Sequence, residues 1–579
     1  MLASEHRKMT LAVGDFDSVT DEERKLIEEY AEDVIRLNNV KDDSDSEAAI
    51  RYVLSHGYDR VYVYGSHDKE GGDRFCQLDY VVWSAPVTDL TDWRYEGVSY
   101  RATQDPGYGT EGTEMYAPDV VQGPDGRYYL YYAMAGMTFT APIHVAVSDS
   151  PAGPFAYYGF VKNPDGSVFT KNITFDPGVL NDDGRIWLYY GWSLAFPPET
   201  LAERTPELEE KLVQVQVELF SKSEDEVRNT PNGIMGANVV ELEADMLTVK
   251  AGPHRIVPGQ ADADGTGFAG HAFFEASSIR KIGDTYYFIY SSQWMHELCY
   301  ATSQYPDRDF RFGGTLVSHA DIGLNGRQPD RAVAATGNNH GSIARINGKW
   351  YVFYHRQTHG HSFSRQGCAE EITLTPDGRF LQAEVTSCGL NGGPLAAKGT
   401  YSAMIACHLY KDKMPATEQV KEQNCPYLTN EGDCRYATNI TDGTRVGFKY
   451  FAFDGPVQLG VCLRGNARGT LHIRTQSQEL GALAIQPCSD WTQIAAAISA
   501  QGKQALYLDF DCINELGDPV RLTLAVEIMG RHSNIILIGE NGLIIDAIKR
   551  VDPAMSTVRP ILPGLRYEVP PAPAGRLDL

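Results

Sequence analysis

Residues 271–292 read HAFFEASSIRKIGDTYYFIYSS. The Gly283-Asp284 turn divides an acid set among aromatic and small residues from the aromatic run TYYFIYSSQ, which starts at Thr285. A short apolar run rich in aromatic and β-branched residues, bounded by turn signals, reads as a β-strand. The same pattern recurs as RVYVYGSHD from Arg60, RYYLYYAMA from Arg127, RIWLYYGWS from Arg185 and KWYVFYHRQ from Lys349, each behind a Gly or Asp. A second element comes after several of these runs: VVWSAPVTDLTDWRYEG from Val81, VAVSDSPAGPFAYYG from Val145 and YATSQYPDRDFRFGG from Tyr300. Self-similar strand units at intervals of about 60–100 residues predict a propeller rather than a sandwich, and five copies predict five blades.

Residues far apart in sequence meet at the axis of such a ring, where the inner strands begin. Four segments stand in that place: Tyr116-Ala117-Pro118-Asp119, Phe175-Asp176-Pro177, Phe274-Glu275 and Asn338-Asn339-His340. Glu275 lies between aromatics and small residues, surroundings that disfavour a charged carboxylate and favour the protonated form a general acid needs. One carboxylate, one protonated acid and one histidine aimed at a common axis suit the cleavage of a glycosidic bond. An ionised Asp176 near Glu275 would keep that acid protonated by like-charge repulsion.

The 579 residues exceed one core, so two to four domains are expected, and 22% charged with 42% hydrophobic residues is ordinary globular composition. A net charge of −25 repels phosphate backbones and anionic lipid, so neither nucleic acid nor membrane is an expected partner. The first residues carry no apolar signal core, and no run has the length of a membrane span, so a cytoplasmic location is expected. Ten cysteines without metal-ligand spacing then read as free thiols.

Residues 1–59 differ in texture from the rest of the chain. Helical patterns at 21–32 and 46–55 alternate with short strands at 10–13 and 34–37, an α/β fragment with acids (Asp15, Asp17, Asp42, Asp43, Asp45) at strand ends. The expected fold class is therefore all-β, a five-bladed β-propeller over 60–395 and a β-sandwich over 400–532, behind a short α/β fragment. In the sandwich, GFKYFAFDG, GTLHIRTQ, DWTQIAAAI and ALYLDFD read as short alternating strands. Residues 533–579 read as an edge or strap with a Pro-rich tail.

YAPDVV, FDPGVL, FEASSI and NNHGSI, each ahead of an aromatic strand, resemble glycoside hydrolase family 43 over about residues 60–390. The resemblance implies inverting hydrolysis with a base on the first blade, an aspartate that tunes the acid and a glutamate acid. Glu275 matches the acid, Asp176 the tuning aspartate and Arg365 a substrate-side arginine, with Tyr116, Asp119, Phe175 and Phe274 lining the sugar site. His340 matches an axial histidine that sits by a calcium or a water, so no cofactor is required and a structural calcium at the axis is the metal reading. The base is unassigned: where it is expected, residues 49–55 read AIRYVLS, without an acid. GDFDSV, KDDSDSE and HGYDRVYVYG resemble the middle of thiamine pyrophosphokinase, and residues 400–532 resemble a family 6 carbohydrate-binding module. These resemblances imply three functions: an exo-acting arabinosyl or xylosyl hydrolase of xylan-type fragments, impaired by loss of its base; an inactive carbohydrate-binding protein; and an inactive kinase remnant. The partner in the first two is an oligo- or polysaccharide.

Overall fold

The computed structural model describes residues 60–135, 141–196, 200–202, 204–411, 425–432 and 434–513. It also describes the backbone of strands at 9–14, 31–36, 522–527 and 547–551 and positions 20, 22, 25 and 27. The chain divides into a unit of residues 1–59 with 552–579 and a unit of residues 60–551. In the first, strands Met9–Gly14 and Ala31–Arg36 pair in parallel, with helical positions at 22, 25 and 27 between them. The helix expected through residue 32 stops earlier, because Ala31 and Glu32 already belong to the second strand. The second expected helix, 46–55, and the acids at 15, 17, 42, 43 and 45 lie outside the described residues.

In the larger unit the repeats form five antiparallel sheets. The run that opens each repeat is a second strand: Arg60–Gly65, Tyr128–Ala135, Arg185–Trp192, Thr285–Ser292 and Lys349–Gln357. Successive side chains of a strand point to opposite faces, so such a run can fill two interfaces. Tyr62 and Tyr64 meet Val120, Tyr128 and Leu130 of the second sheet, while Val61 and Val63 meet Ile346 and Phe353 of the fifth. Tyr129 and Tyr131 face Ile186 and Leu188; Trp187 and Tyr189 face Tyr286 and Phe288; Tyr287 and Ile289 face Val352 and Tyr354. The five interfaces thus close on themselves as a ring. Burying one such side chain contributes about 1.5–3 kcal/mol, which is why apolar residues occupy both faces of these strands.

The innermost strands are Glu114–Gln122, Gly178–Asp182, Phe273–Ile282 and Ser342–Ile346 in the second to fifth sheets. In the first sheet that place is taken by Ala547–Val551, antiparallel to Arg60–Gly65, from the region read as a strap and tail. The ring also carries helices the strand repeat does not announce, α1 (Pro206–Phe220) and α2 (Glu224–Asn229), between the second and third strands of the third sheet. The Thr205 side chain accepts from Leu208 N–H at the start of α1, and Ser223 caps α2 in the same way.

The C-terminal part is one hydrogen-bonded sheet of nine strands around a single core. Its strands are not all short: Thr444–Gly465 spans 22 residues and Cys488–Ile513 spans 26, joining DWTQIAAAI and ALYLDFD into one element. A register shift between Phe448 and Phe451 bends the pair without ending it. Lys449 on this strand reaches into the ring, its Nζ 3.0 Å from both Asp321 and Glu384. None of the ten cysteines is in a disulfide. No described helix is long and apolar enough to cross a membrane.

Candidate active site

The same backbone kink recurs where three inner strands begin. Ala117, Asp176 and Ala276 hold φ of 44°, 47° and 71°. Residues other than glycine rarely adopt this left-handed region. Register shifts at Tyr116/Asp119 and at Glu275/Ser278 make the kinks bulges, which re-aim neighbouring side chains.

The kinks bring Asp176 to the backbone next to Glu275. Asp176 is buried, and its Oδ2 accepts a 2.9 Å hydrogen bond from the backbone N–H of Ala276, the residue after Glu275. Glu275 is half-buried, and its Oε2 accepts from Trp192 Nε1 at 3.1 Å. The Trp192 ring is 5.7 Å from Phe274 and 5.6 Å from Phe220 of α1, so the helical insertion supports the indole that holds the glutamate. Phe274 is itself tied back, its carbonyl accepting from Ser193 N–H at 2.9 Å.

His340 is buried, with Nδ1 3.7 Å from Asp176 Oδ2. Burial, then the Arg365 charge, pushes its imidazole down to about 3, so it is neutral at ordinary pH. The approach is one imidazole nitrogen to one carboxylate oxygen, whereas calcium takes six to eight oxygens. That donor pair does not fit a calcium held directly by the chain.

Arg365 makes a two-pronged ion pair with Asp68: Nε to Oδ2 at 2.9 Å and Nη2 to Oδ1 at 3.0 Å. Its guanidinium also lies 4.5 Å from the Phe75 ring centre. Tyr116, half-buried, packs on Phe175 at 5.3 Å. Asp119 is buried and tied to backbone, accepting from Val120 N–H and, across to the third sheet, from Val179 N–H, both at 2.8 Å. The structure thus joins Asp176 to the Glu275 segment and to His340, and Tyr116 to Phe175.

Trp192 and Asp68 escape the sequence reading as site residues, although both stand in the repeated strand runs, just past the aromatic alternation. Their position at a strand mouth, shared with Glu275, was the available signal.

Among the described residues, the first sheet offers no free base. Its inner strand reads Ala-Ile-Lys-Arg-Val (547–551), without an acid. Asp68 is committed to Arg365 and to the N–H of Cys76 at 2.9 Å.

Several known proteins resemble parts of this chain. The family profile described as Glycosyl hydrolases family 43 matches residues 53–220 and 219–380. A xylosidase/arabinosidase of Thermoclostridium stercorarium is 42% identical over 468 residues, covering 78% of this chain and 91% of that protein. A solved family 43 beta-xylosidase/alpha-arabinofuranosidase from a compost metagenome, in complex with xylotriose, is 25% identical with a TM-score of 0.41, over 56% of this chain and 91% of that one. Both ends resemble something else. Residues 2–77 match the thiamin pyrophosphokinase catalytic domain, and residues 504–577 match the NFACT N-terminal and middle domains. The Rqc2 homolog RqcH of Bacillus subtilis is 52% identical over 60 residues, 10% of each chain. Residues 533–577, read as part of a strap and Pro-rich tail, fall within the NFACT match.

Proposed function

Since the chain belongs to glycosyl hydrolase family 43, we propose that its ring is a five-bladed propeller whose axial pocket cleaves arabinosyl or xylosyl groups from the ends of xylan-type oligosaccharides, with inversion. Glu275 is the general acid, donating its proton to the leaving oxygen as the glycosidic C–O bond breaks. Asp176, ionised and fixed to Ala276 N–H, sets the electrostatics around that acid. Tyr116, Phe175 and Phe274 supply the aromatic walls on which a sugar ring packs. Asp119 shapes the wall through its bond to the third sheet, and Arg365, braced by Asp68, gives the pocket its cation. No cofactor takes part; a metal near His340 would be carried mainly by water.

The observation that carries this reading is the bond from Ala276 N–H to Asp176, which ties one acid to the backbone next to the other across two sheets. Inversion also needs a base about 6.5–9.5 Å from the acid, on the far side of the sugar. The acid-free inner strand of the first sheet supports a catalyst impaired at this step. It equally favours a second reading, a carbohydrate-binding protein with little turnover. The thiamine-pyrophosphokinase-like segment is an inactive remnant.

Hydrolysis of 4-nitrophenyl arabinofuranoside and xyloside, with and without azide, separates these readings. A missing base predicts slow release of nitrophenol, accelerated by azide, which attacks the anomeric carbon as the aryl oxygen leaves. On an unactivated xylo-oligosaccharide, Glu275→Gln should cost a further ~10²- to 10⁴-fold. Equal rates for Glu275→Gln and the parent would remove Glu275 from the mechanism. No azide effect together with measurable sugar binding would leave the binding reading.

A further inference from the structure

His271 opens the stretch that carries Glu275, yet the hydrolytic reading gives it nothing to do. Its Nδ1 lies 2.7 Å from Glu297 Oε1, and a thiol, Cys299, stands two residues further along strand Glu297–Ser303. Because side chains two apart on a strand share a face, Glu297 and Cys299 project together. One ligand atom from each of His271, Glu297 and Cys299 falls within 4.8 Å of the other two. Glu297 and Cys299 are buried, while the His271 side chain keeps 37% of its surface exposed.

We propose that His271, Glu297 and Cys299 form a binding site for a divalent metal ion of the zinc class. The donor set is one imidazole nitrogen, one carboxylate oxygen and one thiolate sulfur, a combination that suits zinc or cobalt rather than calcium or magnesium. Such ions sit about 2.0–2.3 Å from these ligands. The present cluster must therefore open its His271–Glu297 contact and draw Cys299 in.

The supporting residues are already in place. Ser292 Oγ donates to Glu297 Oε1 at 2.5 Å and Thr315 Oγ1 to Oε2 at 3.1 Å, fixing the carboxylate from behind. The Thr315 hydroxyl also lies 3.7 Å from Cys299 Sγ. The His271 ring is stacked on Phe312, 4.5 Å between centres and 11° between planes, which sets the direction of Nδ1. Outer partners of this kind orient metal ligands. Charge favours the same exchange, since a dication held by a carboxylate, a thiolate and a neutral imidazole leaves no net charge in a buried place. The exposed edge of His271 leaves a fourth position for water and a route of entry.

The test is titration of the full chain with cobalt(II), in a Cys434→Ser background because Cys434 is the exposed thiol. One cobalt per chain should bind with tetrahedral visible bands and a near-ultraviolet thiolate-to-cobalt band, and zinc should displace it. Cys299→Ser should abolish the thiolate band, and His271→Ala should weaken binding at least ~10-fold. Circular dichroism of each variant establishes that it is folded. The parent spectrum alone already decides, so a variant that fails to fold does not shelter the proposal. Absence of a thiolate band in the parent, or a band that survives Cys299→Ser, overturns it and leaves an ordinary His271–Glu297 ion pair.

Discussion

On the proposed mechanism Asp176 has two tasks for one carboxylate: it accepts the Ala276 N–H bond next to the acid segment, and it is to supply a negative charge to the pocket. Asparagine separates them, because its side-chain oxygen can still accept the bond while the charge is gone. Asp176→Asn should therefore keep a melting temperature near that of the parent and lose ~10-fold or more in turnover on a substrate that needs leaving-group protonation. Asp176→Ala should lose both, and a stability equal to that of the asparagine variant would show that the bond does no aligning. The positions of Glu275 and Asp176 were legible in the sequence because each stands at the mouth of a repeated strand, where repetition itself signals position. Asp68 and Trp192 stand at equivalent mouths, but their roles rest on partners 297 and 83 residues away, Arg365 and Glu275. No local pattern contains such a pairing.

At the scale of strands, the spacing of Asp176 and the Glu275 segment depends on how closely the third and fourth sheets approach. A Cβ added to Gly178 would lie 2.6 Å from the carbonyl oxygen of Ser277, so backbone packs directly on backbone there. Neither partner is the end of a flexible side chain, and an added methyl must push the sheets apart. Gly178→Ala should cost about 1–3 kcal/mol of stability. Because Asp176 and Ala276 flank this contact, it should also lower activity more than the stability loss alone explains. Thermal unfolding read beside activity well below the melting temperature checks both, and unchanged activity would show that the sheets can separate without moving the acids. The aromatic strands were legible because their two buried faces force apolar alternation. Helix α1 was not, since it lies outside the repeat and buries only Leu212, Gln216 and Phe220. The long strands of the C-terminal sheet looked like several short ones because the residues that bend a strand resemble those that end it.

For the molecule as a whole, the junction of ring and C-terminal sheet carries a titrating group that opposes folding at neutral pH. Burial pushes the Glu370 carboxyl up to about 8, against the lowering bonds from Thr386 N–H and its hydroxyl. A carboxyl raised from about 4.3 in the unfolded chain holds its proton longer when folded. Its contribution is full below about pH 4.3 and is lost as pH rises through 8, at up to about 1.4 kcal/mol per pH unit. Glu370→Gln should match the parent near pH 4 and exceed it in stability near pH 8; parallel denaturation curves across that range would contradict this. The other closure, within the larger unit, pairs strands far apart in sequence. The inner strand of the first sheet, Ala547–Val551, falls in the stretch that resembles NFACT proteins, while its partner Arg60–Gly65 falls where the kinase-like and glycosidase-like stretches overlap. That pairing was invisible in the sequence, because 547–551 lies more than 480 residues beyond its partner and carries none of the motifs that precede the other inner strands. If this strand closes the ring, a chain ending at residue 546 exposes the paired edge of Arg60–Gly65 and loosens the interfaces built on Val61, Tyr62, Val63 and Tyr64. Such a chain should melt several degrees lower and associate through the bared edge, with turnover falling as the axial pocket opens. A synthetic peptide of residues 540–556 supplied in trans should restore the melting temperature, since the strand is held by backbone pairing and needs no covalent link to its neighbours. A truncated chain that stays monomeric and melts with the full one would mean that the ring stands closed without it.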